Sequence, residues 1–183
     1  MARIFLALTL EKDVNDQIID IKKELKSDPL KNVNITWQRN DYHHLTVYFV
    51  GEMEPEQITQ MSDGLDNISL TDFSRSIELI AISSFPNDDS QAISALVKPS
   101  PQLQTLYEEV EKIIVNIGLG SDLKTYRPHI TLGRFKEKNR PRYEFKKFKE
   151  PMKGKVAQLN VLESEFISKG KTEYKLLKSL ELK

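Results

Sequence analysis

At 183 residues the chain is long enough for one well-cored domain or two fused lobes, and too short for several independent modules. Hydrophobic content of 39% beside 30% charged residues argues against disorder, and the lack of cysteine excludes disulfides, thiolate metal sites and a cysteine nucleophile. The 27 basic and 27 acidic residues cancel, so any attraction for a charged partner has to be local.

The opening stretch 3–10 reads as a buried strand. It is too short for a secretory leader and is interrupted by Glu11-Lys12-Asp13. No run approaches the roughly 20 apolar residues of a membrane span, so a cytoplasmic protein without membrane contact is expected. A helix over about 11–27 follows from Val14, Ile18, Ile21 and Leu25 at helical spacing. Short strands are expected near 35–38 and over 44–50, then a helix over 54–67 with Pro55 near its start. Two strands, 75–85 and 91–98, flank the turn chemistry of Pro86-Asn87-Asp88-Asp89.

The second half repeats this grammar. Ser100 is placed to cap a helix whose apolar stripe is Leu103, Leu106, Val110, Ile113 and Ile117, ending at Gly118. A strand over 127–135 is followed by a basic stretch and by strands over 155–167 and 173–182. The pattern implies one α+β domain over residues 1–183 with internal two-fold character.

Two of the three histidines begin the same tetrapeptide, His44-Leu45-Thr46-Val47 and His129-Ile130-Thr131-Leu132. Threonine is sparse enough that chance would produce such a pair in roughly one per cent of comparable chains. Alternation along a strand points His44 with Thr46, and His129 with Thr131, to one face, while Leu45 and Ile130 point to the core. Two such strands across a cleft would supply an acid, a base and two hydroxyl donors for phosphate oxygens. Imidazoles near an ordinary pKa of about 6.5 predict an optimum at roughly pH 6 to 7.5. His43 falls on the opposite face and reads as structural. A metal site lacks further ligands, since Asp88 and Asp89 are explained by their turn, and no cofactor fingerprint is present.

From Lys124 to Lys149 there are ten basic residues opposed only by Glu137 and Glu144. Such a run could attract a polyanion or form a solvated loop. Tyr143, Phe145 and Phe148, interleaved with it, suit single-stranded nucleic acid or a packed strand equally. Trp37, Tyr48 and Tyr126 could stack on a base or belong to the core.

The chain resembles the two-histidine (2H) phosphoesterase superfamily, and within it the RNA 2′,3′-cyclic phosphodiesterases, also called 2′–5′ RNA ligases. The residues that carry the resemblance are Arg3 to Leu8, Trp37 with the block His44 to Glu52, the block Arg127 to Arg134, and the ending with Glu163-Ser164 and Tyr174 to Leu177. It implies a bilobal, duplicated α+β fold, with two antiparallel sheets forming a central cleft and helices packed outside. It implies catalysis by His44 and His129, with Thr46 and Thr131 on the phosphate and no metal or other cofactor. The substrate implied is an RNA end or nucleotide 2′,3′-cyclic phosphate, opened to a 2′-phosphate by what is expected to be a monomer. Arg134 is implied as a phosphate ligand, with Arg127 as a further candidate. Strict alternation puts Arg134 opposite His129, unless a bulge at Gly133 re-aims it. The same site on 2′,5′-linked oligonucleotides or an ADP-ribose cyclic phosphate, and a non-catalytic RNA-binding module, are the competing readings. Which histidine is acid and which is base stays open.

Overall fold

The computed structural model describes residues 1–70, 73–120, 125–137, 147–168 and 171–182. Among the described residues, eight strands and three α-helices follow one another as β1 (Ala2–Leu10), α1 (Lys12–Ser27), β2 (Ile35–Trp37), β3 (His44–Met53), α2 (Pro55–Leu65), β4 (Ser76–Phe85), β5 (Ala92–Val97), α3 (Pro101–Asn116), β6 (His129–Phe135), β7 (Lys147–Ser168) and β8 (Lys171–Glu181). A 3-10 turn, Asn40–Tyr42, precedes β3.

Each helix forms where its sequence pattern places it. Val14, Ile18 and Ile21 bury one face of α1, and Asp13 and Lys26 stand at the ends that the helix dipole favours. At α2, Glu54 and Gln57 make a reciprocal capping box with Pro55 in the first turn. Ser100 caps α3 by accepting from the Leu103 N–H at 3.3 Å, and Gly118, at φ +78, takes the left-handed turn after its end. The stripe of α3 is turned slightly from the expected one: Ile114 is buried against the sheet, while Ile113 packs on Gly64 of α2.

Among the described residues all pairings between strands are antiparallel. The order β1-β3-β6-β5-β4-β7-β8, with β2 added to β6 and a further pairing of β1 with β7, joins the eight strands into one hydrogen-bonded array. Two separate sheets were expected. The strands are continuous because β7 pairs with β4 through Lys147 to Lys155 and with β1 through Val156 to Glu163. That strand starts eight residues before the expected 155. Pro151 and Gly154 hid its first part, since both are poor strand residues. Opposite Leu79 and Ala81 the ladder passes from Met152 directly to Lys147, so Pro151 falls where the register breaks.

Gly154 is required by packing. A Cβ there would lie 2.1 Å from Val14 Cγ2, and Val14 is itself fully buried and β-branched. Gly154→Ala should therefore cost about 1 to 3 kcal/mol by overpacking the α1–β7 contact. Urea unfolding checks this; an unchanged midpoint would mean that α1 shifts without penalty.

Candidate active site

The two His-x-Thr strands meet through their apolar middle residues. Leu45 of β3 pairs with Ile130 of β6, and both are fully buried. In an antiparallel pair this sets His44 opposite Thr131 and Thr46 opposite His129, all four on the face away from the core. This is the single β3–β6 pair in the ladder among the described residues, so the strands diverge from it.

Both strands are bulged just beyond the threonine. On β6, Thr131 pairs with Ser94 and Gly133 with Ile93, which leaves Leu132 as the extra residue. Leu132 and Gly133 are consequently both buried, and Arg134 returns to the face of His129 and Thr131. Gly133 also permits β2 to approach, because a Cβ would meet Ile35 Cγ2 and the Thr36 carbonyl oxygen at 3.0 Å. On β3, Thr46 pairs with Ala7 and Tyr48 with Leu6, so Val47 is extra and Phe49 turns outward, 53% exposed. The fifth residue after each histidine thus reaches the same cleft: an arginine on one side and a phenylalanine on the other. Arg3 lies over the Phe49 ring, 5.0 Å from its centroid.

The cleft so formed has a volume of about 590 Å³ and is lined by His44, Thr46, His129, Thr131 and Arg134 together with Arg3, Phe49, Ser164 and Tyr174. An adjoining cavity of about 1070 Å³ shares Thr46, Phe49 and His129 with it and adds Phe85, Tyr107, Tyr126 and Arg127. Arg127 therefore stands beside the cleft rather than within it, its guanidinium 4.9 Å from the Phe85 ring centroid.

Each imidazole is oriented by the backbone two residues before it. His44 donates from Nδ1 to the Tyr42 carbonyl at 2.8 Å, and His129 from Nδ1 to the Arg127 carbonyl at 2.9 Å. A carbonyl can only accept, so Nδ1 carries hydrogen in both rings and Nε2 is the nitrogen available for proton transfer. Phe5 and Tyr174 pack around His44, with centroids at 5.1 and 5.5 Å, and Phe85 stacks on His129 at 3.6 Å. This burial pushes both imidazoles below their ordinary 6.5. The charge of His129 adds to the effect at His44, and Arg127 and Arg134 add to it at His129.

The remaining candidates sort clearly. His43 is buried against α1 with its Nδ1 on Asn15 Oδ1 at 2.7 Å, a structural role. Tyr48 is core, 6% exposed, while Tyr126 stacks on Tyr107 and donates to the Thr46 carbonyl at 3.0 Å. Trp37 packs against the core, with Lys26 over its ring. Phe148 packs on the core as well; Tyr143 and Phe145, and Lys124, Lys138, Arg140, Arg142 and Lys146 of the basic run, lie outside the described residues. Among the described residues no three His, Asp or Glu side chains cluster as a metal site, and no helix is long and apolar enough to cross a membrane. Sequence reasoning missed Phe49, although its place five residues after His44 matches that of Arg134 after His129. It also missed Phe85 and Tyr174 as partners of the imidazoles, contacts that no local pattern announces.

Two His-x-Thr strands joined over one cleft define a two-histidine phosphoesterase. Residues 39–165 match the 2′-5′ RNA ligase superfamily, and the chain belongs to that family. It is similar to the RNA 2′,3′-cyclic phosphodiesterase of Archaeoglobus fulgidus, 28% identical over 138 residues that cover 75% of this chain and 74% of that one. Its fold is similar to that of a Thermus thermophilus protein, TT0787, with a TM-score of 0.82 at 20% identity over 98% of this chain and 97% of the other. E. coli LigT, crystallised with 3′-AMP, is similar in fold at a TM-score of 0.75 and 23% identity, over 99% of this chain and 98% of that one.

Proposed function

We propose that this protein is a metal-independent phosphodiesterase that opens the 2′,3′-cyclic phosphate of an RNA end or nucleotide to a 2′-phosphate. The carrying observation is the Leu45–Ile130 pairing, which sets each imidazole, its tautomer fixed, opposite the threonine of the other strand. The names of the relatives support the same substrate class, and LigT, similar in fold, binds a nucleotide, 3′-AMP.

In this reading one imidazole takes a proton from water at Nε2 as the water oxygen bonds to phosphorus. The other, as imidazolium, gives its proton to the 3′ oxygen as the P–O3′ bond breaks. Thr46 and Thr131 donate to the non-bridging oxygens, and Arg134 offsets their growing charge. The bulge that returns Arg134 to the histidine face supports this last role. We take the chain as one cytosolic domain, monomeric and built of two related lobes. The parallel design of β3 and β6 supports the duplication, each with His-x-Thr, then a bulge, then an outward fifth residue.

Turnover of 2′,3′-cyclic mononucleotides, RNA ending in a cyclic phosphate, and 2′,5′-linked dinucleotides, with product ends read by phosphorus NMR, tests the reading. Cyclic phosphates should be opened to 2′-phosphates at an undiminished rate after exhaustive chelation. Activity lost with EDTA and restored by zinc or manganese would refute the metal-free mechanism, and turnover of the 2′,5′ linkage alone would move the substrate class.

A further inference from the structure

We infer that Lys22 is a positioning residue for His44, acting through the turn that carries the carbonyl to which His44 is bound. The inference rests on the two-histidine reading above and adds to it a residue remote from the phosphate.

Lys22 lies on α1 and is 3% exposed, a placement that lysine tolerates only when its ammonium is fully bonded. It meets that condition. Nζ donates to the Gln38 carbonyl at 2.5 Å, to Asn40 Oδ1 at 2.8 Å and to His43 Nε2 at 3.0 Å. His43 donates from Nδ1 to Asn15 Oδ1, so its Nε2 is left as an acceptor. Burial lowers His43 to about 3 and Lys22 to about 8, which keeps the ring neutral and the ammonium charged at neutral pH. Three donors thus meet three acceptors, and all three belong to the segment from Gln38 to His43.

That segment is where the two histidines differ in support. The Arg127 carbonyl that holds His129 comes directly before Pro128, whose own carbonyl accepts from Val97 N–H at 3.0 Å, so the sheet fixes it. The Tyr42 carbonyl that holds His44 lies in the 3-10 turn Asn40–Tyr42, outside the sheet. Gln38 is tied at its N–H to the Leu132 carbonyl at 2.8 Å, and its side chain donates to the Tyr42 carbonyl at 3.3 Å. Lys22 fastens this turn at its entry, its middle and its exit. A helix-borne cation does on the β3 side what a ladder hydrogen bond does on the β6 side. Loosening the turn lets the His44 ring drift from its proton-transfer geometry without touching the phosphate ligands.

The test is Lys22→Met in the full chain, which keeps the length of the side chain and removes the donors. We expect kcat on a 2′,3′-cyclic mononucleotide to fall about 10 to 100 fold with KM unchanged, because a misplaced catalytic group costs rate rather than binding. The nitrogen-15 spectrum of the His44 imidazole should move away from its fixed Nδ1–H tautomer. Should that variant not fold, Asn40→Ala, at an exposed site, removes one of the three acceptors and should produce a smaller change in kcat and in the same spectrum. Lys23→Met, an exposed neighbour paired with Asp20, should leave both untouched. A folded Lys22→Met or Asn40→Ala protein with the wild-type His44 spectrum and kcat would overturn the inference and leave Lys22 a stability residue. If the wild-type protein turns over no cyclic phosphate, the phosphodiesterase reading fails by itself, and the imidazole spectrum alone decides whether Lys22 positions His44.

Discussion

Alanine at either His44 or His129 is expected to lower kcat by about 10² to 10⁴ fold while leaving the protein folded, as loss of a proton-transfer group does. Both rings line the cleft, so truncation opens space to solvent rather than a closed cavity in the core. The two losses should not multiply in the double variant, since the imidazoles serve one step together. The pH profile of kcat/KM reads the same pair. One ring has to be neutral and the other protonated, so the rate falls in acid when the base is loaded and falls in alkali when the acid is emptied. Burial and neighbouring positive charge push both rings below 6.5. The bell should therefore centre on the acid side of 6.5, towards the lower end of the range that unperturbed histidines predict. Each single alanine variant should lose one limb. A wild-type profile that climbs without a maximum to alkaline pH, or a variant that keeps its turnover, would rule out the paired mechanism in favour of hydroxide attack.

Arg134→Ala should lower kcat/KM by about 10² fold, the cost of removing one charged donor from a developing phosphorane. Arg127→Ala should cost much less. The two arginines have similar sequence credentials, each within five residues of His129, and their positions separate them. Arg134 shares the cleft with both histidines and both threonines, whereas Arg127 stands in the adjoining cavity over Phe85. Deleting Leu132, the extra residue of the bulge, should cost less than Arg134→Ala, because regular alternation then makes the arginine the fourth residue after His129 and keeps it on that face. Measured kcat/KM for the three variants settles the matter. A larger loss in Arg127→Ala than in Arg134→Ala would place the phosphate on the other side of His129.

Local pattern along the chain was enough for most of the elements and for the chemistry of the reacting groups. Helical spacing located α1 and α3, turn residues separated β4 from β5, and His-x-Thr alternation placed an imidazole and a hydroxyl on one face of each strand. These are consequences of period and turn chemistry, which each segment carries without its neighbours. The start of β7 was not legible in this way, because Pro151 and Gly154 look like breaks when the strand that tolerates them is unseen. That the two motif strands touch is a property of the folded chain, since the Leu45–Ile130 pair joins residues far apart in sequence through a register that no local pattern encodes. Which arginine enters the cleft is another, because a bulge depends on the partner strand against which the extra residue is left over. The support of His44 is a third: the buried ammonium of Lys22 is one more lysine on a charged helix until the turn that it fastens is packed over it.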